Sequence, residues 1–418
     1  MRIGIDVTRL AEKYRTGVQN YYYGLVAGLA SWIEEDNSVD CWLVDRLGLG
    51  VDQDLLELGG QIKLRQAVIP HILPKFADRT SSPKPLGLWN RAARKIERMV
   101  AVQRGTVKRL LEDFDVFHVW TWDVEVAPHA RHVITFHDLI PILFAHLTPV
   151  GFTRATQTGL QFARRHADSI IVDSHFTKEE LIRVAELPAE RIIVIYPGVR
   201  QIFHPLGDPD RLNGVRAKYG IYDRSYLLTV GFLDPRKNVQ GHVRAFEKLA
   251  KEKELRDLQL VMVGPESPAT SQVLAEIVSA KVRDRIHVTG YVPDDDLVAL
   301  MNGAQVFVYC SVYEGFGFPV LEAMACGTPV VTSITTSLGE ISQDAAILVD
   351  PANHEEIAIG IARLLTDDAL RETMQVRGLA RAKQFTWRKC AQEHLRVYQE
   401  CYRSGNGDAS ASAFHLLK

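Results

Sequence analysis

Hydrophobic and polar positions along the chain follow two alternating periods. Short apolar runs rich in Val, Ile and Leu are separated by longer stretches in which apolar residues recur at helical spacing. Short runs of this kind are typical of buried strands, and their alternation with amphipathic helices is typical of βαβ units around a parallel sheet. The pattern predicts an α/β fold with strands at residues 2–7, 40–44, 63–69, 116–120, 132–136, 169–172, 192–196, 226–231, 258–263, 286–289, 306–309, 329–332 and 346–349.

A break in this pattern near residues 196–205 divides the strands into two sets. Pro197, Gly198 and Pro205 interrupt the periodicity there, before a polar helix opens. Because 418 residues exceed what one hydrophobic core usually supports, two domains are expected. We predict a first domain at residues 1–200, a second at 201–385, a final helix at 386–403 and a flexible tail at 404–418.

The composition narrows the functional classes. Apolar residues make up 46% of the chain and charged residues 24%, so extensive disorder is not expected. The formal net charge of -2 argues against a protein whose main task is to coat nucleic acid. The five cysteines lack Cys-x-x-Cys spacing, which predicts reduced thiols rather than disulfides or a zinc site. The chain has neither a signal-like start nor an apolar run that could span a bilayer, so a cytoplasmic location is expected.

One segment, residues 75–109, departs from the neutral average. Basic residues outnumber acidic ones in it, and Trp89 and several aliphatic residues lie between them. Basic charge beside Trp and Leu is typical of a helix that rests on an anionic membrane surface. A solvated helix face that covers its own domain explains the same composition, and both interpretations stay open.

The most specific chemistry lies in residues 313–331, with the sequence YEGFGFPVLEAMACGTPVV. The stretch follows a predicted strand and opens a helix, and Gly315 and Gly317 let backbone N–H groups approach an anion closely. Pro319 suits the first helical turn, whose free N–H groups and partial positive charge attract phosphate. Glu322 is placed to reach ribose hydroxyls and Glu314 to hold a sugar. We expect Glu322 to be exposed, so that its replacement leaves the fold intact.

This stretch resembles family 4 of the retaining glycosyltransferases, whose Glu-x7-Glu signature corresponds here to Glu314 and Glu322. The resemblance is strongest across residues 226–351. It implies the GT-B fold, in which two Rossmann-like parallel-sheet domains face a central cleft, with an acceptor domain first, a donor domain second and the last helix returning to the first. It implies a nucleotide diphosphate sugar as the donor substrate and no other cofactor. Glu322 would bind its ribose and Glu314 the transferred sugar, with backbone amides around sugar and phosphate from Gly315, Phe316, Gly317 and Phe318.

A second cluster, residues 230–238, ends the first strand of the second set. Gly231 is a candidate donor-binding residue there. Arg236 and Lys237 follow it and match the family's paired basic residues at this turn. A guanidinium can hold two phosphate oxygens and an ammonium adds a point charge, so both suit a departing diphosphate. The resemblance implies attack from the front face of the sugar, with the donor's own phosphate oxygen taking the acceptor proton and no protein nucleophile.

The first half of the chain contributes two further candidates. His137 follows a predicted strand, where the family places a histidine next to the reacting carbon of the sugar, and Asp138 is the expected support for it. Gly17 lies where the family often has a Gly-rich loop near the diphosphate, although only one glycine is present. Tyr291 and Val292 resemble the family's segment that contacts the nucleotide base through backbone atoms. Because backbone contacts leave little trace in the side chains, this segment does not distinguish guanine from uracil or thymine.

An acidic triplet at residues 294–296 contains the Asp-x-Asp pattern that holds a divalent cation in the other large glycosyltransferase architecture. It precedes a helical pattern, so we interpret it as the N-cap and first turn of a helix and expect no metal site. Residues 337–340, SLGE, differ from relatives that often have Pro before the Glu, which changes loop stiffness more than chemistry.

Residues 17–21 and 137–141 resemble the corresponding segments of bacterial mannosyl-type transferases that build surface polysaccharides. GDP-mannose is therefore the first candidate donor, and a glycan or lipid-linked hydroxyl the expected acceptor. A nucleotide-sugar 2-epimerase of the same fold and a non-catalytic family member remain alternatives. A dinucleotide dehydrogenase is disfavoured because no Gly-x-Gly-x-x-Gly follows the first strand.

Overall fold

The computed structural model describes residues 1–7, 17–33, 39–45, 57, 62–66, 108–120, 126–221, 225–265, 277 and 280–405. Within these ranges each predicted strand has a counterpart. The strands are β1 (Arg2–Asp6), β2 (Asp40–Asp45), β3 (Lys63–Gln66), β4 (Val116–Trp120), β5 (Arg131–Phe136), β6 (Ala167–Val172), β7 (Ile192–Val194), β8 (Tyr226–Val230), β9 (Gln259–Val263), β10 (Ile286–Gly290), β11 (Val306–Tyr309), β12 (Val330–Ser333) and β13 (Ile347–Val349).

The strands form two sheets. The seven-stranded sheet has the order β3-β2-β1-β4-β5-β6-β7, and the six-stranded sheet has the order β10-β9-β8-β11-β12-β13. Neighbouring strands run parallel, with Ile3 opposite both Cys41 and Val116 in the first sheet and Leu228 opposite both Val261 and Phe307 in the second. The prediction of an α/β fold with two parallel sheets is confirmed.

Helices lie between most of the strands. Those that the structure describes are α1 (Gly17–Ile33), α2 (Ile140–Leu143), α3 (Val150–Arg165), α4 (His175–Ala185), α5 (Pro209–Lys218), α6 (Val239–Leu249), α7 (Asp294–Gly303), α8 (Phe318–Ala325), α9 (Thr336–Ser342), α10 (His354–Thr366), α11 (Asp368–Ala382) and α12 (Trp387–Gly405).

Both faces of the six-stranded sheet are buried. Phe307 and Tyr309 of β11 belong to one core cluster, while Val306 and Val308, the alternate residues of the same strand, belong to another. A parallel sheet covered by helices on both faces needs apolar side chains at successive positions. This double burial explains why the strands appear in the sequence as continuous apolar runs.

The chain divides into two compact units. The first comprises Met1–Thr135, Thr158–Ile170 and Ala391–Lys418, and the second comprises Phe136–Gln157 and Ile171–Cys390. The domain boundaries predicted from sequence, near residues 200 and 385, stay a prediction.

The first unit includes polar contacts between its early strands and the last helix. The ring of His118 hydrogen-bonds the Tyr398 hydroxyl through Nδ1 at 2.7 Å and the Thr135 hydroxyl through Nε2 at 2.7 Å. The Tyr21 hydroxyl lies 2.9 Å from Nε2 of His394. All these side chains are buried, so one face of α12 packs into the interior of this unit.

Several expectations concern features outside the site. All five cysteines are buried and free of disulfides, as predicted. Among the described helices, none combines the length and the apolar character that crossing a membrane requires. Most of the basic segment, residues 75–107, lies outside the described residues, as do 67–69 of the third predicted strand and 406–418 of the predicted tail.

Candidate functional site

The candidate site lies where the strand order of the six-stranded sheet reverses. β8 and β11 are neighbours there, and β9 and β12 extend the sheet in opposite directions. In open α/β sheets, ligands bind outside the carboxyl ends of the strands at this switch point. The chain segments that leave β8 and β11 are residues 231–238 and 310–317, so the topology brings together the two motifs identified in the sequence.

A buried ionic cluster joins these segments. Oε1 of Glu314 accepts hydrogen bonds from Nζ of Lys237 at 2.6 Å, from Nη1 of Arg236 at 3.1 Å and from the Tyr309 hydroxyl at 3.2 Å. Nζ of Lys237 also contacts that hydroxyl, and Arg236 donates to the carbonyl of Tyr313 at 2.8 Å. Two cations thus converge on the carboxylate of Glu314 among these residues.

Burial and charge act in opposite directions on the pKa values of this cluster. Burial would raise the pKa of Glu314, but Lys237 and Arg236 outweigh burial and lower the pKa below its ordinary value. Burial lowers the pKa of Lys237 although the Glu314 carboxylate opposes it. Burial, together with the charge of Glu314, raises the pKa of Tyr309 well above its ordinary value. Glu314 is therefore ionised at neutral pH and Tyr309 is a neutral hydroxyl.

The loop after Glu314 packs against the segment that follows β5. A Cβ atom built on Gly315 would lie 2.0 Å from the carbonyl oxygen of His137 and 2.8 Å from Cβ of Asp138. Only glycine permits this approach, because real Cβ atoms do not come so close to a carbonyl oxygen. The structure thus brings His137 next to the Glu-x7-Glu segment within the second unit.

Asp173, rather than Asp138, supports the His137 ring. Oδ2 of Asp173 lies 2.7 Å from Nδ1 of His137, and the aspartate is buried. Oδ1 of Asp138 instead accepts the backbone N–H of Ile140 at 2.8 Å, which stabilises the turn into α2. The prediction for Asp138 was wrong because adjacency in sequence does not decide which carboxylate faces the ring. Burial raises the pKa of Asp138 above its ordinary value, against the effects of the Ile140 N–H, Arg236 and His137.

Side chains from two helices hold the glycine loop in place. The Ser174 hydroxyl donates to the carbonyl of Gly315 at 2.7 Å, and the Ser337 hydroxyl contacts the carbonyls of Glu314 and Phe316 at 2.9 and 2.8 Å. Gly317, the N-cap of α8, has a φ of 111°, which disfavours other residues. Hydrogen bonds from Ser174 and Ser337 therefore fix the conformation of the loop, in addition to the backbone conformation that Gly317 permits.

Glu340 fixes the start of α4, which carries this support. Its carboxylate accepts the backbone N–H groups of His175 and Phe176 at 2.8 and 3.0 Å and the Tyr196 hydroxyl at 2.7 Å. A carboxylate at a helix N-terminus satisfies free N–H groups and the helix dipole. Glu340 thereby fixes the position of Ser174, which directly precedes α4.

Glu322 is buried, so the expectation that it is exposed was wrong. Its side chain is 6% exposed, and Oε1 accepts from Nε of Arg200 at 3.1 Å, with Nη2 of Arg200 also 3.1 Å away. Nη1 of Arg200 donates to Oδ2 of Asp294 at 2.6 Å. Burial raises the pKa of Glu322 above its ordinary value, and Arg200 offsets this only in part. Replacing Glu322 by alanine would remove a buried partner of Arg200, so the fold would not be left untouched.

We expect Glu322→Gln to raise the Kd for a nucleoside diphosphate about tenfold, because a hydrogen bond to a charged group contributes about 1.5–3 kcal/mol and glutamine keeps only one acceptor oxygen. Titration calorimetry measures the affinity, and thermal unfolding shows whether the fold is retained. The control is Glu355→Gln on α10, which alters an exposed side chain that pairs with Lys248. This variant should bind the nucleoside diphosphate like the parent. Unchanged affinity in Glu322→Gln would exclude the ribose role.

The acidic triplet forms the first turn of α7, as predicted, but not its N-cap, which is Pro293. Its carboxylates are paired with basic residues: Asp294 with Arg200, Asp295 with Arg211, and Asp296 with Lys218 and the Tyr219 hydroxyl. Within the part of the chain that the structure describes, no group of three or more His, Cys, Asp or Glu has the spacing of a metal site.

The remaining predicted donor-site residues are distributed as follows. Gly231 follows β8, and its N–H donates to the carbonyl of Val263 at 2.8 Å. Tyr291 follows β10 and is 57% exposed, whereas Val292 is buried in the core. The Phe316 ring packs against Phe318 and Phe385. Gly17 begins α1 in the first unit, and its role stays a prediction.

Sequence reasoning missed Arg200, Asp173, Ser174 and Tyr309. Arg200 lies in the stretch interpreted as a linker, where prolines and a glycine drew attention instead of the single basic residue. Asp173 and Ser174 directly follow β6, and the carboxyl ends of parallel strands are where such polar residues gather. For Asp173 and Ser174, this position directly after a strand was the one feature of the sequence that indicated a functional role. Tyr309 resembles any other buried aromatic residue of a strand.

Comparison with known proteins identifies two family models that this chain matches. Residues 215–380 match the family model described as Glycosyl transferases group 1, and residues 51–201 match the one described as Glycosyltransferase Family 4. The chain is 37% identical over 275 residues to the O-antigen chain mannosyltransferase B of Escherichia coli, which covers 65% of this chain and 71% of that protein.

Two further proteins are similar to this chain, one in sequence and one in fold. The serotype-specific mannosyltransferase WbdA of Escherichia coli is 30% identical over 272 residues, but this chain spans only 33% of its length. The crystal structure of Anabaena Alr3699/HepE in complex with UDP and glucose has a TM-score of 0.66 and 17% identity, and covers 96% of this chain and 99% of that one. At that identity the likeness concerns the fold.

Proposed function

The chain belongs to glycosyltransferase family 4 and has the GT-B fold of that family, and from this premise we propose that it is a retaining, metal-independent mannosyltransferase. The observation that carries the proposal is the buried cluster of Glu314, Arg236 and Lys237 beside His137. It joins a sugar-binding carboxylate to two diphosphate-binding cations at the switch point of the sheet. Its proposed donor is a nucleotide diphosphate sugar, with GDP-mannose first.

The choice of mannose rests on relatives. The O-antigen chain mannosyltransferase B and WbdA are both named for mannosyl transfer, and both align over about two thirds of this chain. We propose a corresponding role in surface polysaccharide synthesis, with a glycan or lipid-linked hydroxyl as the acceptor. We propose a cytoplasmic location, with the basic residues 75–109 resting on the anionic inner face of the membrane.

In the proposed reaction the acceptor oxygen attacks the anomeric carbon on the face from which the diphosphate leaves. The bond from this carbon to the phosphate oxygen breaks, and the acceptor proton passes to the departing diphosphate. Arg236 and Lys237 stabilise the negative charge that develops on the leaving group. Glu314 holds the sugar and keeps Lys237 in place, while His137 contacts the sugar in the transition state.

A donor screen tests this assignment. GDP-, UDP- and dTDP-sugars are compared by thermal shift, since a ligand at 100 times its Kd adds about 2.7 kcal/mol of stability. The stabilising donor is then incubated with oligosaccharide acceptors, and NMR of the product gives its anomeric configuration. Transfer of mannose with retention is expected. Epimerisation of the donor without an acceptor would instead support the epimerase alternative.

The proposed metal independence gives a second expected result. We expect full activity in excess EDTA, because Arg236, Lys237 and the start of α8 supply the positive charge that a cation would otherwise provide. Initial rates with and without EDTA are the measurement. Asp294→Asn, which changes the exposed partner of Arg200, should respond to EDTA as the parent does. Loss of activity that Mn²⁺ restores, in the parent but not in Asp294→Asn, would contradict the proposal.

A further inference from the structure

Asp173 and His137 form a polar pair at the carboxyl ends of two neighbouring strands. His137 follows β5 and Asp173 follows β6. The Asp173 side chain is 2% exposed and the His137 side chain 13%, with Oδ2 and Nδ1 2.7 Å apart. The second oxygen, Oδ1, is buried and accepts no hydrogen bond from the residues that the structure describes.

The position of this carboxylate carries an energetic cost. Burial raises the pKa of Asp173 above its ordinary value, and His137 is the group that opposes the rise. A buried carboxylate with half of its hydrogen-bonding capacity unused destabilises the fold, and a functional role explains why such a group is kept. The imidazole is the polar group it directly engages within the described residues, so that role concerns the ring.

The backbone of His137 is already fixed by the close approach of its carbonyl oxygen to Gly315. What remains is the rotation of the ring and the position of its proton. A carboxylate that accepts from Nδ1–H determines both, since a neutral imidazole then carries its proton on Nδ1 and its acceptor lone pair on Nε2.

We infer that Asp173 is a positioning residue for His137, which it holds in the Nδ1–H form with Nε2 as the acceptor for a hydroxyl of the transferred sugar. This inference rests on the proposed role of His137 in the glycosyltransferase reaction. The Asp138 carboxylate does not take this part, because its Oδ1 is engaged with the backbone of Ile140.

The tautomer can be measured directly in the parent protein. Imidazole ¹⁵N NMR with labelled histidine distinguishes a protonated from an unprotonated Nδ1, and the signals lost in His137→Gln identify the ring. We expect Nδ1 to carry the proton in the parent protein. In Asp173→Asn the amide N–H₂ can donate to Nδ1, so the proton is expected on Nε2. An unprotonated Nδ1 in the parent would overturn the inference.

Kinetics provide a second readout. We expect Asp173→Asn to lower kcat by about 10- to 100-fold, the usual effect of removing a residue that orients a functional histidine, with little change in the donor KM. The control is Asp168→Asn on the same strand, which alters a partner of Arg131 in the first unit and should leave kcat near the parent value. Unchanged kcat in folded Asp173→Asn would contradict the inference.

The double variant separates this inference from the proposed function. If Asp173 acts through His137, then Asp173→Asn should cause no further loss in a His137→Gln background. Full activity of His137→Gln would refute the role of the histidine itself. If His137→Gln is impaired and Asp173→Asn causes a further, additive loss of activity in that background, only the positioning role of Asp173 is refuted.

Discussion

Lys237→Ala is expected to lower kcat by about 10²- to 10³-fold while the donor KM changes by less than about threefold, since stabilisation of developing charge acts mainly in the transition state. Nζ of Lys237 lies 2.6 Å from Glu314, within the cluster at the switch point of the sheet. Its positive charge matters most when the bond from the sugar to the diphosphate breaks. The diphosphate of the bound donor carries less negative charge before that bond breaks. Removing Lys237 therefore weakens donor binding less than it slows the reaction.

Steady-state kinetics at saturating acceptor separate the two constants, and thermal unfolding tests the fold. Glu314 keeps Arg236 and Tyr309 as partners in the variant, so its carboxylate is not left without hydrogen bonds. Lys218→Ala is the control, because this lysine pairs with Asp296 at the surface and should not affect kcat. A rise in KM with kcat unchanged would mean that Lys237 only binds the donor.

Gly315→Ala is expected to abolish most activity, with a fall in kcat of about 10²-fold or more, since a displacement of about 1 Å can cost that much. The added methyl group would lie 2.0 Å from the His137 carbonyl, so either the glycine loop or the segment after β5 has to move. Either shift separates His137 from Glu314. Overpacking of this kind typically costs about 1–3 kcal/mol, which a folded variant can tolerate.

The matched substitution is Gly214→Ala. Gly214 lies in α5, and a Cβ there meets no other atom within 4 Å. Alanine in a helix interior is favoured over glycine by about 0.5–1 kcal/mol, so this variant should be as stable as the parent or more stable, with normal kcat. The measurements are kcat and the free energy of unfolding in urea. Parent-like kcat for Gly315→Ala would show that the close approach to His137 is not needed for activity.

The strands were predictable because buried parallel strands require continuous apolar runs, and few other features of a sequence look like them. The same physical reason explains the correct placement of the Glu314 loop and Lys237, since both follow such strands directly. The domain boundaries were harder to predict. These boundaries depend on which segments pack together. The Asp138 prediction shows in addition that adjacency in sequence does not identify the partner of a side chain.

Side-chain pairing over long separations was outside the reach of the sequence. Arg200 and Glu322 are 122 residues apart, and His137 and Asp173 are 36 apart, yet each pair shares a hydrogen bond. Hydrophobic periodicity reports which face of an element is buried, but not which polar side chains meet there. The burial of Glu322 follows from Arg200, and nothing in the local sequence around Glu322 indicates that partner.

The participation of α12 in the first unit has a consequence for how the protein is made. Translation delivers residues 1–135 before α12, but the buried side chains of His118 and Tyr21 form hydrogen bonds with Tyr398 and His394 of that helix. On the ribosome the contacts of the first unit with α12 must therefore wait, with this surface uncovered, until α12 has emerged. The second unit, continuous from residue 171 to 390, can complete its core earlier, which reverses the usual order in which the N-terminal part folds first.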